Sequence, residues 1–150
     1  MDIRYYASPI GRLKIQVEDN ALIGLHLCKE EETGDSSSHP VVVQTAIQLD
    51  EYFAGTRRSF HLPLAPQGTP FQQEVWNALQ HIPYGKTISY AQLAETVGRP
   101  KACRAVGTAN GKNPIAIIIP CHRVINANGQ LGGYAYGLEI KKHLLDLEQK

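Results

Sequence analysis

The sequence predicts an α/β (α+β) chain in two parts, on three observations. The first 27 residues alternate apolar and polar positions in three short runs separated by turn residues, which reads as an antiparallel sheet. Beyond residue 69, apolar residues recur at three- and four-residue spacing, the pattern of helices that bury one face. Between these regions, Leu62–Gly68 holds two prolines and a glycine and reads as a linker. Residues 1–62 are therefore expected to form an N-terminal domain of sheet plus helix, and residues 63–150 a mostly helical C-terminal domain. A chain of 150 residues can bury a sizeable core without staples. With 43% hydrophobic and 19% charged residues, it is not a largely disordered chain.

The elements follow in order. Ile3–Ala7 and Leu13–Val17 read as strands around the turn Ser8-Pro9-Ile10-Gly11, and Ala21–Leu27 as a third strand after the turn Glu18-Asp19-Asn20. Glu30–Pro40 is polar, acidic and serine-rich and reads as a flexible loop. Val42–Phe53 suits an amphipathic helix ended by Gly55. Thr69-Pro70 opens a helix as N-cap and first helical residue, with Phe71, Val75, Trp76 and Leu79 on its apolar face. Ser89 caps a helix over Tyr90–Val97. Gly98-Arg99-Pro100 then turns the chain into a helix over Lys101–Asn110, rich in the small residues Ala102, Ala105, Gly107 and Ala109. Two short helices joined by a tight turn make a helix-turn-helix pattern. Ile115–Ile119 is a short buried strand-like run before Pro120. Asn126–Gly133 is a glycine-rich turn region, and Leu138–Leu147 closes the chain as a helix.

The formal charge is +1, which gives no overall hint of a nucleic-acid partner. The total hides an asymmetry. Residues 1–62 carry 6 basic and 9 acidic side chains, whereas residues 75–138 carry 6 basic side chains against Glu95 alone. This split fits an anionic partner for the second half, or ordinary scatter of surface charge. No apolar run approaches the roughly 18 residues of a membrane span. Met1-Asp2-Ile3-Arg4 has no signal-peptide pattern, so the cytoplasm is the expected location. Cys28, Cys103 and Cys121 lack C-x-x-C spacing and read as free thiols. His26, His39, His61, His81 and His143 show no metal-ligand spacing, and no metal or other cofactor is expected.

The densest chemistry is Asn113-Pro114-Ile115-Ala116-Ile117-Ile118-Ile119-Pro120-Cys121-His122-Arg123-Val124. A thiolate forms more easily beside an imidazole or guanidinium. Adjacent side chains on a regular strand point to opposite faces, so His122 can serve Cys121 only across a turn or through a water. From these residues alone, Cys121 is either a nucleophile or an inert buried thiol.

Ile119-Pro120-Cys121-His122-Arg123-Val124 resembles the active-site signature of the O6-alkylguanine-DNA alkyltransferases. Pro83-Tyr84-Gly85-Lys86-Thr87-Ile88-Ser89-Tyr90, Arg104-Ala105-Val106-Gly107, Asn113-Pro114, Gly132-Gly133-Tyr134 and a closing helix ending in Glu148 fall in that family's order and spacing. The resemblance is strong over about residues 63–150 and extends to the N-terminal part only in size and strand pattern. It implies a two-part fold of the kind read above. It also implies irreversible, single-turnover transfer of an alkyl group, mainly methyl, from O6 of guanine in double-stranded DNA to Cys121, and leaves open whether O4 of thymine is a second substrate.

Residue by residue, the resemblance makes Cys121 the nucleophile and His122 a base acting through a water. Glu148 orients His122, Tyr90 supplies a hydroxyl to the departing base, and Asn113 is a hinge that ties the turn. Arg104 becomes the finger that fills the gap left by a flipped nucleotide, on a minor-groove helix with Lys101, Ala105 and Gly107. Ser89 and Thr69 become phosphate contacts. The carbonyls of Cys121 and Val124 and the amide of Ala135 read the guanine edge, and Tyr134, Tyr136 and Trp76 complete the pocket. Tyr136 departs from members with glycine there and is expected to narrow the pocket. A monomer is expected. Two rivals stand beside this reading: a non-catalytic lesion-binding relative, which would lack Cys121, and a cysteine hydrolase, which would turn over.

Overall fold

A computed structural model describes residues 1–29 and 36–150. The chain divides into two compact units. One is Met1–Gln67 with Pro114–Ala116, and the other is Gly68–Asn113 with Ile117–Lys150. Residues 30–35 of the loop expected over Glu30–Pro40 lie outside the described residues.

In the first unit, β1 (Asp2–Ser8), β2 (Gly11–Glu18) and β3 (Ala21–Leu27) form an antiparallel meander in that order. Leu13, Ile15 and Val17 are fully buried at every second position of β2, so the period-2 pattern points inward. Asp19 and Asn20 both have positive φ, 51° and 63°, as a two-residue type I′ hairpin turn requires. The helix α1 (Pro40–Phe53) packs Val42, Leu49 and Tyr52 into the same core. It starts two residues earlier than the periodicity predicts, because His39 Nδ1 caps Val41 N at 3.1 Å and Pro40 takes the first helical position.

Two segments differ from the sequence expectation. The supposed linker at Leu62–Gly68 is partly a sheet edge. Leu22 N donates to Pro63 O at 2.8 Å, and Ala65 N donates to Leu22 O at 2.9 Å. The run Ile115–Ile119 is not a strand. Ile115 makes a single parallel bridge to Leu25, and Ile117 sits at φ 70°, which breaks extended geometry. Its apolar composition reports burial, and burial alone does not specify a strand.

The second unit holds α2 (Pro70–Leu79), β4 (Ile88–Ser89), α3 (Tyr90–Thr96), α4 (Cys103–Gly111), a single 3-10 turn (Cys121–Arg123), β5 (Val124–Ile125) and α5 (Leu138–Glu148). Thr69 and Ser89 cap α2 and α3 through reciprocal capping boxes with Gln72 and Gln92. α4 begins two residues later than predicted, so Lys101 lies in the turn ahead of it. Ala102 at its N-cap offers no side-chain acceptor. Val75, Leu79, Leu93, Val106 and Leu144 are fully buried. Each such side chain contributes about 1.5–3 kcal/mol on burial. The parallel pair β4–β5 sets Ile88 beside Val124 and Ser89 beside Ile125, which fixes the start of α3 against the chain that follows Cys121.

Candidate active site

Pro120 ends the buried apolar run, and the chain closes into the 3-10 turn that carries Cys121, His122 and Arg123, all buried. The turn replaces the opposite-face geometry of a strand. Cys121 opens onto a cavity of about 220 Å3 lined by Tyr90, Gly107, Asn110, Gly111, Asn113, Gly133, Tyr134, Ala135 and Tyr136.

Behind the cysteine lies a buried charge network. His122 Nε2 and Glu148 Oε2 are 2.6 Å apart, with both side chains fully buried. Arg123 holds the same carboxylate on two prongs, Nε to Oε1 at 2.8 Å and an outer nitrogen to Oε2 at 3.2 Å. Its other outer nitrogen donates to Ile82 O at 2.7 Å, and its guanidinium lies over the Tyr84 ring. Burial alone would raise the Glu148 carboxyl. The hydrogen bonds and charges of His122 and Arg123 outweigh it and hold the group down to about 2. Burial pushes His122 below its usual value against the opposing pull of Glu148, so the ring is neutral at pH 7. With Nε2–H donating to an ionised carboxylate, the lone pair is left on Nδ1, which is buried and has no hydrogen-bond partner among the described residues.

Burial raises the Cys121 thiol, opposed by a hydrogen bond from Asn113, the charge of Lys141, and a hydrogen bond from Tyr134. The Asn113 amide also donates to Ile119 O at 2.6 Å, which ties the chain on either side of the apolar run. Burial raises the Tyr90 and Tyr134 hydroxyls, so both are neutral donors at pH 7. The Tyr90 ring has room because Gly132 faces it. A methyl group there would meet Asn126 Oδ1 at 2.9 Å and the ring at 3.2 Å, and the φ of +72° also requires glycine. Tyr134 and Tyr136 stack edge to face at 5.7 Å and form one wall.

The structure thus gathers Cys121, Tyr90, Asn113, Gly107, Tyr134, Ala135 and Tyr136 around one cavity, with His122 and Glu148 behind it. Arg104, Lys101, Ala105 and Thr69 line a separate open groove with Phe71, Gln72, Ala102, Thr108 and Ala109. The Ser89 and Thr69 hydroxyls accept the capping amides of Gln92 and Gln72, each at 3.1 Å. Trp76 lies outside the cavity lining. It is 2% exposed, and its indole N–H donates to Ala109 O at 2.9 Å, so it supports α4 from within the core. The Val124 side chain is likewise fully buried, and its carbonyl already accepts Lys141 Nζ at 2.6 Å.

Three participants escaped the sequence reading: the pairing of Arg123 with Glu148, the amide of Asn110 at 3.5 Å from Cys121 O, and the buried Lys141. Lys141 left one signal. It falls on the inward face of α5 with Leu144 and Glu148, at spacings of three and four.

The buried Cys121 lies in one turn with the imidazole of an imidazole–carboxylate pair, an arrangement compatible with a cysteine nucleophile. Family comparison narrows the class. Residues 70–150 match the family described as "6-O-methylguanine DNA methyltransferase, DNA binding domain", and residues 1–66 match its "ribonuclease-like domain". The chain belongs to the 6-O-methylguanine DNA methyltransferase family. A methylated-DNA–protein-cysteine methyltransferase of Methanosarcina acetivorans is 50% identical, covering 96% of this chain and 97% of that protein. The constitutive enzyme of that name in Bacillus subtilis is 46% identical over 98% of this chain and 96% of its own. The crystal structure of Mycobacterium tuberculosis OGT in complex with DNA superposes with a TM-score of 0.91 at 45% identity, covering 99% of this chain and 93% of that one.

The Glu148 carboxyl is depressed in the fold, so its contribution is present above the unfolded value near 4.5 and is lost as pH falls towards 2. Acid titration followed by circular dichroism is expected to show stability falling through this window by on the order of 3 kcal/mol. Glu148→Gln should be less stable at pH 7 and flatter across the same range.

Proposed function

We propose that this protein repairs DNA by direct reversal, moving an alkyl group, chiefly methyl, from O6 of guanine to Cys121 in one irreversible turnover. The observation that carries this is the buried Cys121 lining a small cavity, next in the turn to an imidazole whose Nδ1 has no hydrogen-bond partner among the described residues. The relatives' shared designation as methylated-DNA–protein-cysteine methyltransferases supports the same chemistry. The thiol is protonated at rest, so a base is required. His122 Nδ1 takes that proton through a water. The sulfur then attacks the alkyl carbon, the S–C bond forms, and the C–O6 bond breaks with its electron pair going to guanine. The Tyr90 hydroxyl donates a proton to the leaving base and recovers one from solvent. The product is a thioether that no group in the site can cleave, so the protein is consumed.

A guanine inside a duplex cannot present its O6 substituent to a buried sulfur, so the nucleotide is rotated out. The cavity is smaller than the roughly 300–1,000 Å3 of drug-sized pockets and suits one base. α3 and α4 serve as a helix-turn-helix, with α4 in the minor groove and the exposed Arg104 filling the vacated stack. Lys101, Thr69, Ser89 and the uncapped amides of α4 are the phosphate contacts. Residues 63–150 carry DNA binding and transfer, and residues 1–62 support them. The protein acts as a monomer. Its three free thiols suit a reducing compartment, and we place it in the cytoplasm.

The deciding experiment is stoichiometry. Incubation with radiolabelled methylated duplex DNA should leave one label per protein, on Cys121, and Cys121→Ser should take none. Many product molecules per protein would instead indicate a hydrolase. Arg104→Ala should slow repair of duplex far more than reaction with the free base O6-methylguanine; equal losses would remove its flipping role. Tyr136→Gly should raise the rate with O6-benzylguanine at least about tenfold, equivalent to about 1.4 kcal/mol of relieved crowding. An unchanged rate would show that Tyr136 does not limit adduct size.

A further inference from the structure

The helix α4 borders the Cys121 cavity with Gly107, Asn110 and Gly111, which share one helical face. The two glycines have no side chain, so Asn110 is the side chain that α4 brings to the cavity. It is 5% exposed, and its carboxamide is only half satisfied. Nδ2 donates to Cys121 O at 3.5 Å. Turning the amide end for end would set two acceptors against each other, so the nitrogen belongs on that side. Oδ1 is buried and has no hydrogen-bond partner among the described residues. A buried acceptor left unpaired is costly, and an apolar side chain of similar volume would avoid the cost. The bond to Cys121 O accounts for the nitrogen of this amide and not for its oxygen.

The substrate of the proposed reaction supplies one kind of donor. Alkylation at O6 removes the hydrogen from N1 of guanine, which leaves the ring nitrogens N1, N3 and N7 as acceptors, while N9 is bonded to the sugar. The 2-amino group is then the donor that the base carries on its edge. The carbonyls that the family resemblance assigns to this edge are already engaged. Cys121 O accepts Val124 N and Asn110 Nδ2, and Val124 O accepts Lys141 Nζ at 2.6 Å. Asn110 Oδ1 is a buried acceptor beside them to which nothing among the described residues donates.

We propose that Asn110 is a specificity residue whose Oδ1 accepts a hydrogen bond from the 2-amino group of the flipped O6-alkylguanine, a role that rests on that base being the substrate. The orphaned oxygen is paired only when a base with an amine is seated, and a buried group left unpaired is what rejects an analogue. Hypoxanthine alkylated at O6 has the same rings and the same leaving oxygen but no amine, so it leaves Oδ1 unpaired. O4-alkylthymine has lost its N3 hydrogen and likewise brings no donor. Because Nδ2 holds the backbone of Cys121, one side chain sets the base against the sulfur.

The test measures single-turnover methyl transfer from duplexes carrying O6-methylguanine or O6-methylhypoxanthine, in the wild type and in Asn110→Leu, with folding checked by circular dichroism. The wild type should prefer the base with the amine by about tenfold, the worth of one neutral hydrogen bond. In Asn110→Leu that ratio should fall to about one. A wild type indifferent to the amine overturns the assignment. A folded Asn110→Leu that keeps the wild-type ratio also overturns it, even if both of its rates fall, since equal losses mark a purely structural amide. Should Asn110→Leu fail to fold, Asn110→Ala removes the same oxygen and is read in the same way. Binding of the two duplexes to Cys121→Ser, with and without Asn110→Leu, is measured in parallel by fluorescence anisotropy. If the wild type takes no methyl from either duplex while an Asn110-dependent binding preference for the amine persists, the amine-reading assignment stands and the alkyl-transfer reading falls. No preference in either measurement overturns the assignment.

Discussion

Glu148 is the last residue of α5 and carries a buried negative charge at the end of a helix where the macrodipole is also negative. Neither burial nor position favours that charge. It persists because Arg123 and His122 converge on it, and its burial gives the imidazole a fixed hydrogen-bond acceptor. Removing any one of the three leaves a buried polar or charged group unmet, which is the costly case for such networks. The cysteine turn, the end of α5 and the carbonyl of Ile82 are thereby fastened together. The orientation of His122 behind Cys121 follows from this one carboxylate.

The rest of the second unit is arranged around that fixed point. The β4–β5 pair brings α3 alongside the residues after the turn, and α3 delivers Tyr90 to the cavity. The Asn113 amide bridges the irregular run before Pro120, so Cys121 is held from its N-terminal side as well. Lys141 holds the C-terminal side through three carbonyls. The nucleophile proposed at Cys121 gains from such constraint, because fixed donors need not reorganise when a thiolate forms.

The exposed groove at α2 and α4 is of a different kind. Its lining includes the cations Lys101 and Arg104, the hydroxyls of Thr69 and Thr108, and the small side chains of Ala102 and Ala105. That suits a surface which meets a long anion in many registers, since charge and small size matter there more than geometry. In the proposed function the reacting centre needs defined positions, whereas the groove needs only access and sign.

The local elements were legible in the sequence because each rests on short-range physics. The hairpin turn follows from Asp19-Asn20, the N-caps from Thr69 and Ser89, and the strands and helices from apolar periods of two and of three to four. Cys121, His122, Tyr90, Asn113 and Glu148 came together as a candidate set only through the resemblance to the alkyltransferase family; composition and spacing alone left Cys121 open between a nucleophile and an inert thiol. What tertiary structure decided is where distant residues meet. Arg123 stands two residues from Cys121, yet its partner is Glu148. Lys141 lies on a face shared with Leu144, yet its ammonium ends among three carbonyls from segments 8 to 17 residues away. Trp76 joined the core instead of the pocket, and Leu64 joined the sheet instead of a linker. In each case a buried polar group had to find an acceptor, or an apolar one a cover. Which partner lies within reach is set by the packed chain as a whole, and no local pattern encodes it.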